Sequence, residues 1–133
     1  MRQRLPWIVA GVGGLAVAGV LLSRGGRAAL HPEPRPGVTA ERVLPPSLVL
    51  TTPVEAAAAY AAARGAPRLL DGLYCHCECA KHFGHRSLLT CFESDHGGQC
   101  DICMGEALLA TRMAAGGSTL DQIRRAIDER FHS

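Results

Sequence analysis

The chain has 133 residues, including 15 glycines and 8 prolines, and a formal net charge of +2. That length gives one domain with appendages, and the glycines and prolines leave less chain for a core than the length suggests. So small a charge, with basic residues scattered rather than striped and only 5 % aromatic residues, excludes a nucleic-acid platform.

Arg2 and Arg4 precede an apolar run over residues 5–22, broken only by small residues and Pro6. At 1.5 Å per residue that run is about 27 Å long, near the lower limit for crossing a bilayer. Residues 1–30 therefore read as a signal-anchor or transmembrane segment. A cleaved signal peptide is the alternative, with Gly26-Arg27-Ala28 as its best and weak cleavage site. A lipoprotein signal needs a cysteine just after the apolar run, where this chain has Ser23-Arg24. Arg2 and Arg4 are balanced by Arg24, Arg27 and Arg35, so orientation rests on the short N-terminal tail being the cytoplasmic end. The expectation is a single-pass cell-membrane protein with its C-terminal domain outside the cytoplasm, in the periplasm or at the cell surface.

Residues 31–46 carry Pro32, Pro34, Pro36, Pro45 and Pro46. Proline fixes φ and lacks an amide hydrogen, so this stretch reads as an extended, semi-rigid linker with no core of its own. Residues 47–133 form the cysteine-rich domain. Thr52-Pro53 opens a helix over 54–64, with Glu55 in its first turn and Gly65 after it. Its near-continuous alanine gives high propensity but little area to bury, which predicts a thin cover. A further helical turn is predicted over 67–73.

The stretch from Cys75 to Cys79 shows no period and reads as irregular, extended backbone. A short helix is predicted over 85–92, turning Leu88, Leu89 and Phe92 inward, followed by a loop over 93–99. The next helix starts at Cys100 or Asp101 and runs to about 114. Ile102, Leu109 and Met113 make one stripe, and Cys103, Ala107 and Ala110 the neighbouring one. Ser118, with Asp121 three positions on, is read as the cap of the last helix. Leu120, Ile123, Ile127 and Phe131 form its apolar face, with Asp121–Arg125 and Arg125–Glu129 as spaced ion pairs on the other side. The fold class is all-α: a small cysteine-rich helical domain behind an N-terminal transmembrane or signal helix. Such a domain is of a size at which a hydrophobic core alone is marginal, so staples by disulfide or metal are expected.

All six cysteines lie between residues 75 and 103: Cys75, Cys77, Cys79, Cys91, Cys100 and Cys103. In extended backbone alternate side chains share a face, so the first three sulfurs can converge on one point. Pairing two of them locally needs a strained bridge, which favours soft-metal ligation or bridges to distant cysteines. Cys100 and Cys103 sit three apart at a helix start, where the amides and dipole stabilise a thiolate. His85, beside the short helix, is a candidate ligand or a donor to one. His76 and Glu78 are expected to point away from the sulfurs, with His76 exposed. His82 and His96 read as loop residues, although His96 can reach a site near Cys100. His31 and His132 are assigned no role, and Glu106 reads as a surface carboxylate or helix-pairing contact.

Cys75-x-Cys77-x-Cys79, Gly84-His85-Arg86-Ser87-Leu88-Leu89-Thr90-Cys91-Phe92, Cys100-Asp101-Ile102-Cys103 and Glu106-Ala107 together resemble the bacterial PCYCGC-motif (CYCXC) family. The likeness covers residues 70–131. It implies a small extracytoplasmic protein, often a lipoprotein, without an established biochemical function. Selenocysteine at a motif position in some members implies redox or soft-metal chemistry; this chain has ordinary cysteine throughout. It also departs from the family's Pro-Cys-Tyr-Cys-Gly-Cys in having Tyr74-Cys75-His76-Cys77-Glu78-Cys79, and it lacks the lipobox.

The leading functional reading is a membrane-anchored protein that binds copper or zinc through some four of Cys75, Cys77, Cys79, Cys91, Cys100, Cys103 and His85. Its expected partners are the membrane, the metal ion and a redox or metal-donor protein. A thiol–disulfide relay and a non-catalytic domain stapled by three disulfides are the alternatives. No other catalytic constellation is present in the sequence, and enzymatic activity beyond redox exchange has no support in it.

Overall fold

A computed structural model of the protein describes residues 29–49 and 54–132. The apolar run at the N-terminus and the Thr52-Pro53 helix start lie outside the described residues. Among the described residues the chain is all-α with no strand, and no helix is long and apolar enough to cross a membrane.

Six helices follow one another in the described residues: α1 (Val54–Gly65), α2 (Pro67–Asp71), α3 (Cys79–Phe83), α4 (Leu88–Cys91), α5 (Asp101–Ala115) and α6 (Leu120–Phe131). Short 3-10 turns stand at Pro46–Leu48 and Asp95–Gln99. The long helix α5 packs against both α1 and α6. Helix α1 is more than a cover. Ala56, Ala59, Tyr60 and Ala63 are all fully buried, and α5 contributes Ala107 and Ala110 to the same core. Small side chains on both partners let two backbones approach closely, so poor area per residue is offset by proximity. Tyr60 stands edge-on to Phe92 with ring centres 5.1 Å apart. Its hydroxyl donates to the Ser94 carbonyl and accepts the Gly98 amide, tying α1 to the Asp95–Gln99 turn.

Of the two stripes expected on α5, the inner one holds Cys103, Ala107 and Ala110, joined by Met104 and Glu106. Ile102, Leu109 and Met113 are only half-buried, because the alanine-lined side is the one that fits α1. On α6, Ile123 and Ile127 are buried while Leu120 and Phe131 flank them. Its cap lies one residue later than expected. Thr119 accepts the Gln122 amide (3.3 Å), and the Gln122 side chain accepts the Thr119 amide (2.8 Å), a complete capping box. Asp121 pairs with Arg124 rather than with Arg125, the three-residue spacing being equally close on a helix.

The proline-rich segment is a strap, not a free spacer. Val43 is buried in the core, and the Arg64 guanidinium holds its carbonyl. Arg124 donates to the Pro32 carbonyl, and Arg86 to that of Glu33. Arg35 reaches the fully buried Asp71 through both its backbone amide (2.7 Å) and its guanidinium (2.8 Å). Extended backbone cannot pair its own amides and carbonyls, so side chains from the helices satisfy them.

Candidate metal centre

The chain enters the centre after Leu73, whose carbonyl accepts the Leu88 amide at 2.8 Å and so holds this stretch beside α4. Cys75 to Cys79 is not extended. The Glu78 amide donates to the Cys75 carbonyl (3.3 Å), and Glu78 itself adopts φ +62°. That turn feeds α3, which starts at Cys79. The three sulfurs converge because the chain folds back on itself, rather than through strand alternation. Cys75 Sγ lies 3.4 Å from Cys77 Sγ and 3.9 Å from Cys79 Sγ.

Three other elements close on this turn. From the first turn of α5, Cys103 places its sulfur 3.3 Å from that of Cys75 and 3.5 Å from that of Cys77. Cys91 ends α4, and Nδ1 of His85, from the connection before α4, lies 3.3 Å from its sulfur. His96, on the Asp95–Gln99 turn, brings Nε2 to 2.9 Å from Cys79 and 4.0 Å from Cys77. Gly97 makes that approach possible. A Cβ there would stand 2.7 Å from the Phe92 ring and 2.9 Å from the Cys91 carbonyl.

These donors fall into three overlapping sets of four, each with all ligand atoms within 4.8 Å of one another. One is Cys75, Cys79, Cys91 and Cys103; the second is Cys77, Cys79, His96 and Cys103; the third is Cys79, His85, Cys91 and His96. A tetrahedral ion with metal–sulfur bonds of about 2.3 Å needs sulfurs about 3.8 Å apart. The Cys75 sulfur lies 3.3 Å from that of Cys103 and 3.9 Å from that of Cys79, separations that bracket this edge length. The donor set suits soft ions.

Cys79 belongs to all three sets and Cys100 to none. Cys100 is the residue before α5, with extended dihedrals (φ −129°, ψ 112°). Its side chain therefore does not share the helical face that carries Cys103. Cys77 and Cys79 are joined as a disulfide. Local pairing, disfavoured for extended backbone, is reached because the turn sets their Cα atoms 5.6 Å apart, an ordinary span for a bridge.

Within the thiol group, hydrogen bonds from Cys103 and then Cys91 pull the Cys75 thiol down to about 3. Its partner Cys103 is pushed far up, chiefly because it holds its proton toward Cys75 and then Cys91. Burial lowers the His85 imidazole, and His96 beside it adds to the fall, leaving His85 neutral and able to ligate. Phe83 stacks near both rings, 4.8 Å from His96 and 5.8 Å from His85, and is itself exposed. This histidine side is the open side of the centre.

Behind the sulfurs lies a polar wall. Glu106 is fully buried, and its Oε1 accepts both the backbone amide (3.0 Å) and Nδ1 (2.6 Å) of His76. His76 Nε2 faces Asp128 Oδ1 at 3.1 Å. His31 Nε2 donates to the same oxygen (3.0 Å), while its Nδ1 accepts the Tyr74 amide (2.9 Å). The sequence places His76 at the surface, and Glu106 at the surface or in a helix-pairing contact; instead each satisfies the other inside. Burial pushes Glu106 up to about 8 against the pull of its His76 hydrogen bond. His76 is raised: burial works against it, but the Glu106 hydrogen bond and charge outweigh that. His31 is lowered, mainly by burial. None of the His31, Glu106 and Asp128 contacts had a signal in the sequence, since they join residues 30 to 97 apart.

No curated protein and no solved structure matches this chain. Residues 37–133, which carry the sulfur turn, both helices that add a cysteine and the capped final helix, match the family described as proteins of unknown function with a PCYCGC motif. The chain belongs to that family.

Proposed function

We propose that this protein binds a soft metal ion, copper(I) or zinc, through its thiol cluster, as a membrane-anchored protein facing outside the cytoplasm. The observation that carries the reading is the all-buried set of Cys75, Cys79, Cys91 and Cys103, four sulfurs from four chain elements within 4.8 Å of one another. Stapling needs sulfurs in bonded pairs; four cysteines outside the Cys77–Cys79 bridge remain free thiols. Anchoring is supported by the basic, apolar N-terminal run. Loading requires both Cys77 and Cys79 as thiols, so a dithiol or phosphine reductant first delivers two electrons and two protons to their disulfide. Binding then releases the thiol protons.

A second reading, thiol–disulfide exchange, is favoured by one contact: Cys75 Sγ lies 3.4 Å from a sulfur of that disulfide. The Cys75 thiolate would bond to Cys77 and expel Cys79 as thiolate.

Native and denaturing intact mass of the exported chain, purified without chelator and measured with metal before and after phosphine reduction, separates these. A native metal increment over fully reduced thiols supports the metal site. A metal-free protein lighter by two hydrogens per bridge, unchanged by redox buffer, overturns it in favour of staples. A mass that follows the redox buffer, with no metal taken up by the reduced protein, favours exchange.

A further inference from the structure

A single four-coordinate ion does not use the donors this fold brings together. Placed among Cys75, Cys79, Cys91 and Cys103, it leaves Cys77 idle with its sulfur 3.5 Å from Cys103, and leaves Nε2 of His96 idle 2.9 Å from Cys79. Placed among Cys77, Cys79, His96 and Cys103, it leaves two buried thiols, Cys75 and Cys91, without a metal. The two sets share two members, Cys79 and Cys103. In geometric terms they are two tetrahedra with a common edge, and thiolate sulfur has lone pairs enough to serve two ions at once.

Resting on the metal-binding reading above, we propose that the centre holds two soft ions bridged by the thiolates of Cys79 and Cys103. Cys75 and Cys91 complete the inner, fully buried ion. Cys77 and His96 complete the outer one, on the side where Cys77 and His96 are half-exposed. Charge points the same way. Five metal-bound thiolates carry five negative charges, because a coordinated thiol is deprotonated. One divalent ion in the all-cysteine set leaves two of its four thiolate charges uncompensated inside the protein, which is costly, whereas two divalent ions leave only one of the five. The order of loading follows from access: ions enter past His96 and Phe83, and the inner position fills through the outer one.

The test is the stoichiometry of the reduced full chain under anaerobic conditions. It is titrated with copper(I) and, separately, with zinc(II), and read by native mass and by X-ray absorption. Two or more ions per chain, with a metal–metal scattering contribution, is the expected result. A count above two extends bridging into the Cys79, His85, Cys91 and His96 set and keeps the proposal. One ion at saturation for both metals overturns the bridged pair while leaving the metal-binding reading intact. No ion overturns both. His96→Ala removes the two sets that contain His96 and leaves the all-cysteine set, so the count should fall from two to one with helicity unchanged. If that variant still binds two ions, or fails to fold while the unaltered chain shows no metal–metal contribution, the bridged arrangement is wrong.

Discussion

Oε1 of Glu106 lies 2.6 Å from Nδ1 of His76, and the carboxyl group has no exposed surface. This pair closes the back of the sulfur cluster and fixes the residue between Cys75 and Cys77. His76 also reaches Asp128 on α6, so the wall links the sulfur turn to two helices. The second oxygen of Glu106 has no hydrogen-bond partner among the described residues. The geometric hydrogen bonds of the carboxyl are the two that its first oxygen accepts from His76.

Removing that contact should be expensive. His76→Ala leaves a buried carboxyl without its side-chain partner, a class of change costing about 1–3 kcal/mol. Urea unfolding should show the midpoint falling with the slope unchanged. Glu106→Gln keeps an oxygen for the His76 backbone amide and should cost less. An unaltered midpoint in His76→Ala would mean that the pair does not contribute to the fold.

Asp71 provides a pH-dependent clasp for the N-terminal strap. It is buried and receives Arg35, Arg86 at 2.9 Å and the Ser87 hydroxyl at 3.1 Å. Burial alone would raise its carboxyl, but the Arg35 hydrogen bonds outweigh this and hold it below the ordinary 3.8. A depressed folded value means the contribution is complete above 3.8 and declines below it. It is gone once the pH passes below the folded value. Thermal melts from neutral pH downward should therefore show a loss of stability on the acid limb. Asp71→Asn should lower stability at neutral pH by about 1–3 kcal/mol and flatten that limb. Both arginines are partly exposed, which keeps the effect from being larger.

The helices were largely legible because their signals are local. Alanine propensity, the glycine that ends α1 and the apolar spacing of α6 all act within a few residues, and α1, α5 and α6 lie where those signals put them. The cap of α6 moved one residue because Thr119 and Gln122 compete successfully with Ser118 and Asp121 for the same orphan amides. What the sequence hid is long-range. His31 and Asp128 are 97 residues apart, and nothing near either one announces the other. Cys100-x-x-Cys103 misled for a different reason. Helical spacing brings two sulfurs together only if both residues are helical, and Cys100 is not.

The departures from Pro-Cys-Tyr-Cys-Gly-Cys become intelligible in this light, and one is testable. Tyr74 in place of proline supplies the amide that His31 accepts, and His76 in place of tyrosine supplies the two ring contacts of the wall. Glu78 in place of glycine is the strained one. It is the only described non-glycine residue with positive φ, at +62°, where an L side chain crowds its own carbonyl. Its carboxylate pairs with Lys81 at an exposed site, which compensates little. Glu78→Gly should raise the melting temperature by a few degrees and leave metal uptake unaltered. A lower melting temperature would show that the Lys81 pair and the entropy of glycine outweigh the relieved strain.

The redox state of one pair should decide whether the centre works at all. Cys79 contributes to every donor set, and in the disulfide with Cys77 it is withdrawn from all of them. Oxidised protein should therefore take up neither copper(I) nor zinc(II), and reduction by a phosphine should restore uptake in full. Serine substitutions refine the expectation. Cys79→Ser should weaken binding sharply even in the reduced protein, and zinc(II) more than copper(I), since each set falls to three donors. Cys100→Ser should leave the stoichiometry unchanged, because Cys100 stands outside all three sets at the start of α5. Metal content by elemental analysis after desalting reads each case directly. Equal loading of oxidised and reduced protein would place the ion away from Cys79. Loss of metal in Cys100→Ser alone would move the centre toward the N-terminus of α5, where the dipole favours a thiolate but the neighbouring sulfurs are missing.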